Sequence, residues 1–235
     1  MKKLTGFALA FFMSSVAMAQ QSFDGFYGQV ALGYENAMGS SKNTSETFSN
    51  NPSRSYPLVT SISNINTFTQ NFGLGYTAKV TDKFLLGIGG DFNPISSSSA
   101  NFELSNADLG PGSAKNSYKT TNTYNIFLTP GYAINSQGMI YAKAGYSATQ
   151  VKLNSGAGST SPGQVDSYNL NGFIVGAGYK QFIVGNLYGF VEGNYTKYQS
   201  KDTSSTSPYG SISTTTTSNL GLSTYNFLVG IGYKF

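Results

Sequence analysis

The ten residues Asn226-Phe-Leu-Val-Gly-Ile-Gly-Tyr-Lys-Phe235 decide how this chain folds. Side chains of an extended strand alternate between its two faces. Phe227, Val229, Ile231, Tyr233 and Phe235 therefore share one face, and Asn226, Leu228, Gly230, Gly232 and Lys234 share the other. The first face is wholly apolar and aromatic; the second is mostly small or polar. A sheet in water rarely leaves such a strip uncovered, and the acyl chains of a bilayer are a cover that suits it.

The pattern recurs. Phe173-Ile-Val-Gly-Ala-Gly-Tyr179-Lys180 nearly repeats the terminal stretch, and Asn71-Phe-Gly-Leu-Gly-Tyr76 is a shorter echo. Alternation predicts eight strands, at 23–35, 67–79, 84–92, 119–133, 139–150, 168–181, 187–198 and 221–235. Their lengths approach the roughly 9–11 residues with which a tilted strand crosses a bilayer. One phase carries residues such as Phe26, Val30, Leu32, Phe72, Leu74, Ile126, Leu128 and Val175. The opposite phase carries Lys79, Asp91, Lys143, Lys180, Glu192 and Lys234, with Gln29, Asn125, Ser147 and Asn194. A lysine or arginine on the lipid face costs about 2–4 kcal/mol at mid-depth, so this segregation is what a spanning barrel requires. Every segment also ends on an apolar-phase aromatic: Tyr34, Tyr76, Phe92, Tyr132, Tyr146, Tyr179, Tyr195 and Tyr233. Because strands alternate in direction, these are expected to form two interfacial belts, where a ring can be buried while its hydroxyl stays wet.

Connections alternate in length. Residues 36–66, 93–118, 151–167 and 199–220 are long and rich in Ser, Thr, Asn and Gly; those near 80–83, 134–138 and 182–186 are short and hold turn formers. Four long and three short connections, with both termini on the short side, describe extracellular loops and periplasmic turns. The sheet must close, because hydrocarbon offers unpaired amides no water. The expected fold is therefore all-β: an eight-stranded antiparallel up-and-down transmembrane barrel. A ten-stranded version, with part of residues 54–66 as an added hairpin, also fits the pattern.

Met1-Lys2-Lys3, a largely apolar run from Leu4 to Val16, and Ala17-Met18-Ala19 read as a secretory signal peptide over 1–19, leaving 20–235 as one barrel domain. Its loss removes Lys2 and Lys3 and leaves charge nearly balanced, so nothing points to nucleic acid. Charged residues are only 10% of the chain while Tyr and Phe number 17 each, a balance suited to a lipid-facing surface. There is no Cys, His or Trp. Zinc and iron–sulfur sites of the usual kinds and a Ser-His-Asp system are thereby excluded, and neither catalytic residues nor a cofactor or metal is expected. Gly87-Ile-Gly-Gly90 is not followed by an amphipathic helix, so close packing in a narrow barrel explains it better than a phosphate cradle.

The chain resembles the small outer-membrane β-barrel proteins of Gram-negative bacteria, the group of the OmpA transmembrane domain and the OmpX-like proteins. The Gly-x-Gly-Tyr strand ends (Gly73–Tyr76, Gly176–Tyr179, Gly230–Tyr233) and the terminal Tyr233-Lys234-Phe235 carry the resemblance. It implies the cell outer membrane as location, and outer-membrane lipids and lipopolysaccharide as surroundings. It also implies recognition by the barrel assembly machinery through Tyr225, Phe227, Val229, Ile231, Tyr233 and Phe235. No segment matches the peptidoglycan-binding domain of full-length OmpA.

Asp91, Lys143 and Glu192 are the lumenal charges of interest. A barrel of about eight strands is filled by side chains, so a salt-bridge plug is the first reading and a gated pore the second; Lys143 and Glu192 are expected to meet. Lys42, Arg54, Lys115, Lys119 and Lys201 could pair with lipopolysaccharide phosphates, and Phe48, Arg54, Tyr56, Leu58 and Val59 could pack locally, extend strands or contact a partner. The expected protein is a monomeric, non-enzymatic barrel with a structural or surface-interaction role through its loops; the alternatives are a narrow channel and a soluble lipocalin-like barrel. The sequence names no loop ligand.

Overall fold

The computed structural model describes residues 22–97, 99–106, 110–111, 116–155 and 164–235. The signal segment expected at 1–19, and Lys115, lie outside the described residues. The strands are β1 (Gly25–Phe48), β2 (Asn51–Pro57), β3 (Val59–Ile62), β4 (Ile65–Lys79), β5 (Phe84–Asn93), β6 (Ala100–Asn106), β7 (Gly110–Pro111), β8 (Asn116–Ala133), β9 (Gly138–Ser155), β10 (Gln164–Val184), β11 (Leu187–Tyr198), β12 (Lys201–Tyr209) and β13 (Ile212–Lys234).

Eight of them form a ring. β1, β4, β5, β8, β9, β10, β11 and β13 pair antiparallel in that order, and β13 returns to β1 from Tyr27↔Lys234 to Phe48↔Thr214. Closure leaves these strands no free edge in the apolar zone. The apolar phase faces outward: Phe26, Leu74, Ile126, Phe173 and Val229 are all more than half exposed. The other phase is buried and fills the lumen. One apolar cluster, with Phe23, Tyr27, Leu85, Phe182 and Tyr188, sits toward the short turns; another, with Ile65, Tyr118, Val151, Leu170 and Leu222, sits toward the long connections.

The turns follow from local chemistry. The β10–β11 turn needs only Gly185 and Asn186, with Gly185 at φ 52°, a left-handed conformation open to glycine. Before β9, the Asn135 side chain accepts hydrogen bonds from the amides of Gln137 (2.9 Å) and Gly138 (2.7 Å). Lys79 pairs with Asp82 at 3.0 Å, exposed at the rim rather than inside the lumen.

The long connections differ from irregular loops. β1 continues to Phe48, β2 folds back on it, β3 pairs with β6, and β12 pairs with the first half of β13. Threonine-rich segments leaving an already paired strand have both the propensity and the template to continue as sheet. Phe48 and Tyr56 pack edge to face at 5.4 Å with Arg54 over the Tyr56 ring at 4.7 Å, so part of the first connection packs on itself. Residues 54–66 do contribute strand, but β2 and β3 stay outside the ring, which remains eight-stranded.

Candidate functional site

Between the two apolar layers lies a layer of charge. Lys143 on β9 reaches Asp91 on β5 at 2.8 Å and Glu192 on β11 at 2.9 Å, and all three side chains are almost wholly buried. Asn125 donates to Asp91 at 2.5 Å; Tyr141 and Asn194 each donate to Glu192 at 2.8 Å; Asn194 also donates to Asn226 at 2.9 Å. Burying charge is unfavourable unless it is paired and hydrogen-bonded, and here both carboxylates are. Lys143 also lies 4.0 Å from the centre of the Phe127 ring. Lys180 is held differently: it stacks over Tyr27 at 4.3 Å and over Tyr141 and Tyr188 at 5.1 Å, with Gln29 at 3.4 Å.

Glycine makes these reaches possible. Tyr141, Gly178 and Glu192 lie in one cross-strand row, and the Tyr141 ring passes over Gly178 to its carboxylate. A Cβ on Gly178 would stand 2.5 Å from that ring. Tyr188, Gly232 and Gln29 repeat the arrangement, with Tyr188 donating to Gln29 at 3.1 Å. Large lumenal aromatics therefore sit across glycine-bearing neighbours, and the barrel interior is packed.

At the long-connection end the extended wall lines a partly open cavity of about 130 Å³. Tyr118 helps hold it: its hydroxyl donates to the Ser63 carbonyl at 2.8 Å and accepts from the Gly39 amide at 3.2 Å. Burial pushes the Tyr118 phenol above its ordinary pKa, against a smaller opposing effect of the Gly39 hydrogen bond. This cavity was not anticipated from sequence, because most of its lining comes from strand extensions in segments that read as polar loops.

The remaining residues are placed as follows. Tyr34, Phe92, Tyr146 and Tyr195 fall at the long-connection end, each beside an outward aromatic: Phe68, Tyr124, Phe173 and Tyr225. Tyr76, Tyr132, Tyr179 and Tyr233 fall at the turn end. Tyr225, Phe227, Val229, Ile231, Tyr233 and Phe235 form one exposed outward strip on β13 and at its end. Sequence reasoning passed over Glu35, which faces inward and is hydrogen-bonded by Asn226, and Tyr141 as the donor to Glu192. Polar residues in the inward phase were the available signal.

Residues 5–235 match the family model for the outer membrane protein beta-barrel domain. A 25 kDa outer-membrane immunogenic protein of Brucella melitensis is 37% identical over 105 residues, covering 45% of this chain and 42% of that protein. The Brucella canis protein of the same description is 36% identical over 105 residues, with the same shares. The chain thus matches less than half the length of these relatives. Among solved structures, OprG of Pseudomonas aeruginosa aligns with a TM-score of 0.60 at 13% identity, over 92% of this chain and 99% of that one. The outer membrane protease OmpT of Escherichia coli aligns with a TM-score of 0.50 at 12% identity, over 91% and 98%. At these identities the two structures speak to fold alone. With a closed eight-stranded ring, a lipid-compatible exterior and a match over nearly its whole length, this chain belongs to the outer-membrane β-barrel protein family of Gram-negative bacteria.

Proposed function

We propose that the protein is a non-conducting, non-enzymatic barrel that holds a β-structured platform at the bacterial surface for interaction with the surroundings. The observation that carries this reading is the Asp91–Lys143–Glu192 bridge, buried between two apolar layers. A path for water or ions would have to break it, and stranding one partner of a buried ion pair costs about 3–5 kcal/mol. The absence of His and Cys from the sequence supports a non-catalytic role, and the immunogenic relatives support surface display. In this reading the two sets of aromatics are interfacial belts and the outward strip ending in Phe235 serves recognition by the barrel assembly machinery. Lys42, Lys119 and Lys201 face lipopolysaccharide or solvent, and the unit is a monomer. Residues 1–19 are a signal removed on export.

The test is conductance in planar bilayers of the purified full-length protein, with Lys143→Met beside it. No stable channel is expected from either, while the variant unfolds at lower urea concentration. A rival reading, a narrow gated channel, draws on the charged layer itself, since the same residues would line its path. Steady conductance from the natural sequence would replace the proposal with that reading.

A further inference from the structure

The cavity at the long-connection end has a lining of two characters. β1, β12 and β13 contribute hydroxyls, among them Ser41, Thr44, Ser205, Thr216 and Ser218; β6, β8, β9 and β10 contribute Phe102, Leu104, Tyr118, Leu153 and Leu170. The hydroxyl side is already a network: Ser41 contacts Thr44 at 2.8 Å and Ser218 more closely, and Thr60 donates to Thr44 at 3.2 Å. Each hydroxyl can donate or accept, so the network can reorient toward a guest's polar group. Charge narrows the guest further. Among the described residues the lining holds no lysine or arginine, and its one carboxylate, Asp166, accepts a hydrogen bond from Ser205 at 2.9 Å. The Lys201 ammonium stands 6.0 Å from the Tyr168 ring centre and is not part of the lining. An anion entering would shed water and gain no counter-charge.

Size sets the last limit. An apolar protein cavity of about 150 Å³ takes up one benzene molecule, so about 130 Å³ holds a single ring or a short aliphatic chain. We infer that this cavity is a binding site for a small uncharged amphiphile, an apolar body of about that size with one hydroxyl or carbonyl group. The body lies against Phe102, Leu153 and Leu170, and the polar group meets the Ser41–Thr44–Ser218 network. Below the cavity Tyr198 contacts Ser147 at 3.0 Å, within the packed lumen. The site holds its guest on the outer side and does not depend on whether the lumen conducts.

The probe is phenol, titrated against the full-length protein in phosphatidylcholine nanodiscs, with empty nanodiscs measuring partition into lipid and benzenesulfonate as the charged counterpart. Saturable binding of phenol above the empty-disc level is expected. It should weaken at least tenfold in Leu153→Glu, with benzenesulfonate binding at least tenfold more weakly than phenol. The natural chain has no tryptophan, so Phe102→Trp introduces one indole at the wall, and its emission should change on titration with the same midpoint. No saturable excess over empty discs overturns the inference. So does equal binding of the sulfonate, or unchanged affinity in a folded Leu153→Glu. If Leu153→Glu does not fold, the indole decides: emission that stays constant through the titration overturns the inference.

Discussion

Gly178 lacks a side chain because the Tyr141 ring occupies the space one would need. Valine there would meet that ring, with the first added carbon already 2.5 Å away. Gly178→Val is therefore expected to lower the urea midpoint strongly, and Tyr141→Ala to relieve most of that loss. Contacting residues of this kind show coupling of about 0.5–3 kcal/mol; additive effects would refute the row as drawn. Tyr141→Phe keeps the packing and removes one donor from buried Glu192, worth about 1–3 kcal/mol. The two lumenal lysines separate more sharply. Lys143→Met strands two buried carboxylates, whereas Lys180→Met removes contacts with a neutral amide and three rings, Lys180 making no ion pair among the described residues. Lys180→Met should be several-fold milder in urea unfolding, and equal losses would mean that the Asp91–Lys143–Glu192 bridge is not the centre of the lumen. Asp91, Lys143 and Glu192 could be read as inward from phase alone. Which of them touch could not, because contacts across a lumen depend on the stagger between strands that are distant in sequence.

At the scale of elements, the departures from strict alternation have a local cause. Asn43 and Asn122 both adopt φ 50°, and the pairing register shifts beside each, between Lys42 and Ser45 and between Thr121 and Tyr124. Below Asn122 the buried residues of β8 are Asn125, Phe127, Thr129 and Gly131; above it they are Asn116, Tyr118 and Thr120, with Thr121 buried at the bulge itself. The odd-numbered phase faces inward on one side of the bulge and the even-numbered phase on the other. Without that switch Tyr118 would follow Tyr124 to the outside and the cavity would lose a wall. Asparagine tolerates this backbone conformation better than most residues, yet Thr120-Thr121-Asn122-Thr123 has no spacing that marks a bulge. This explains why the eight strands could be read from the sequence and the cavity could not. Asn122→Val, whose β-branched side chain disfavours φ 50°, should press β8 toward strict alternation at unchanged length and turn Tyr118 outward. The chain has no cysteine, so single substitutions can report the change: a membrane-impermeant maleimide should label Lys119→Cys faster than Tyr118→Cys, and adding Asn122→Val should reverse that order. An unchanged order in Asn122→Val would mean that β8 holds its orientation by other contacts.

For the molecule as a whole, one demand organises the rest: every ring strand must show carbon to lipid and hide its polar atoms. That demand is written in period two, which is why strand number, facing and the positions of the short turns could be read from apolar alternation. The height of the wall above the membrane carries no such contrast. Ser and Thr of the extended strands face water outside and hydroxyls inside, so their alternation has no hydrophobic signal, and β1 and β13 run on well past the last belt aromatic unannounced. The facing itself is testable at two pairs of neighbours. Val175 and Val229 are 52% and 54% exposed, while Ile174 and Leu228 beside them are 2% and 3% exposed. Spin labels on Val175→Cys and Val229→Cys in reconstituted protein should relax readily with oxygen, which concentrates in acyl chains, and poorly with a water-soluble nickel chelate. Labels on Ile174→Cys and Leu228→Cys should respond weakly to both, since the lumen there is packed rather than wet. Strong nickel response at 175 and 229 would turn the apolar face toward water and remove the membrane from the argument. Strong nickel response at 174 and 228 alone would leave the barrel in lipid but open its interior, which is the outcome that favours the channel over the closed platform.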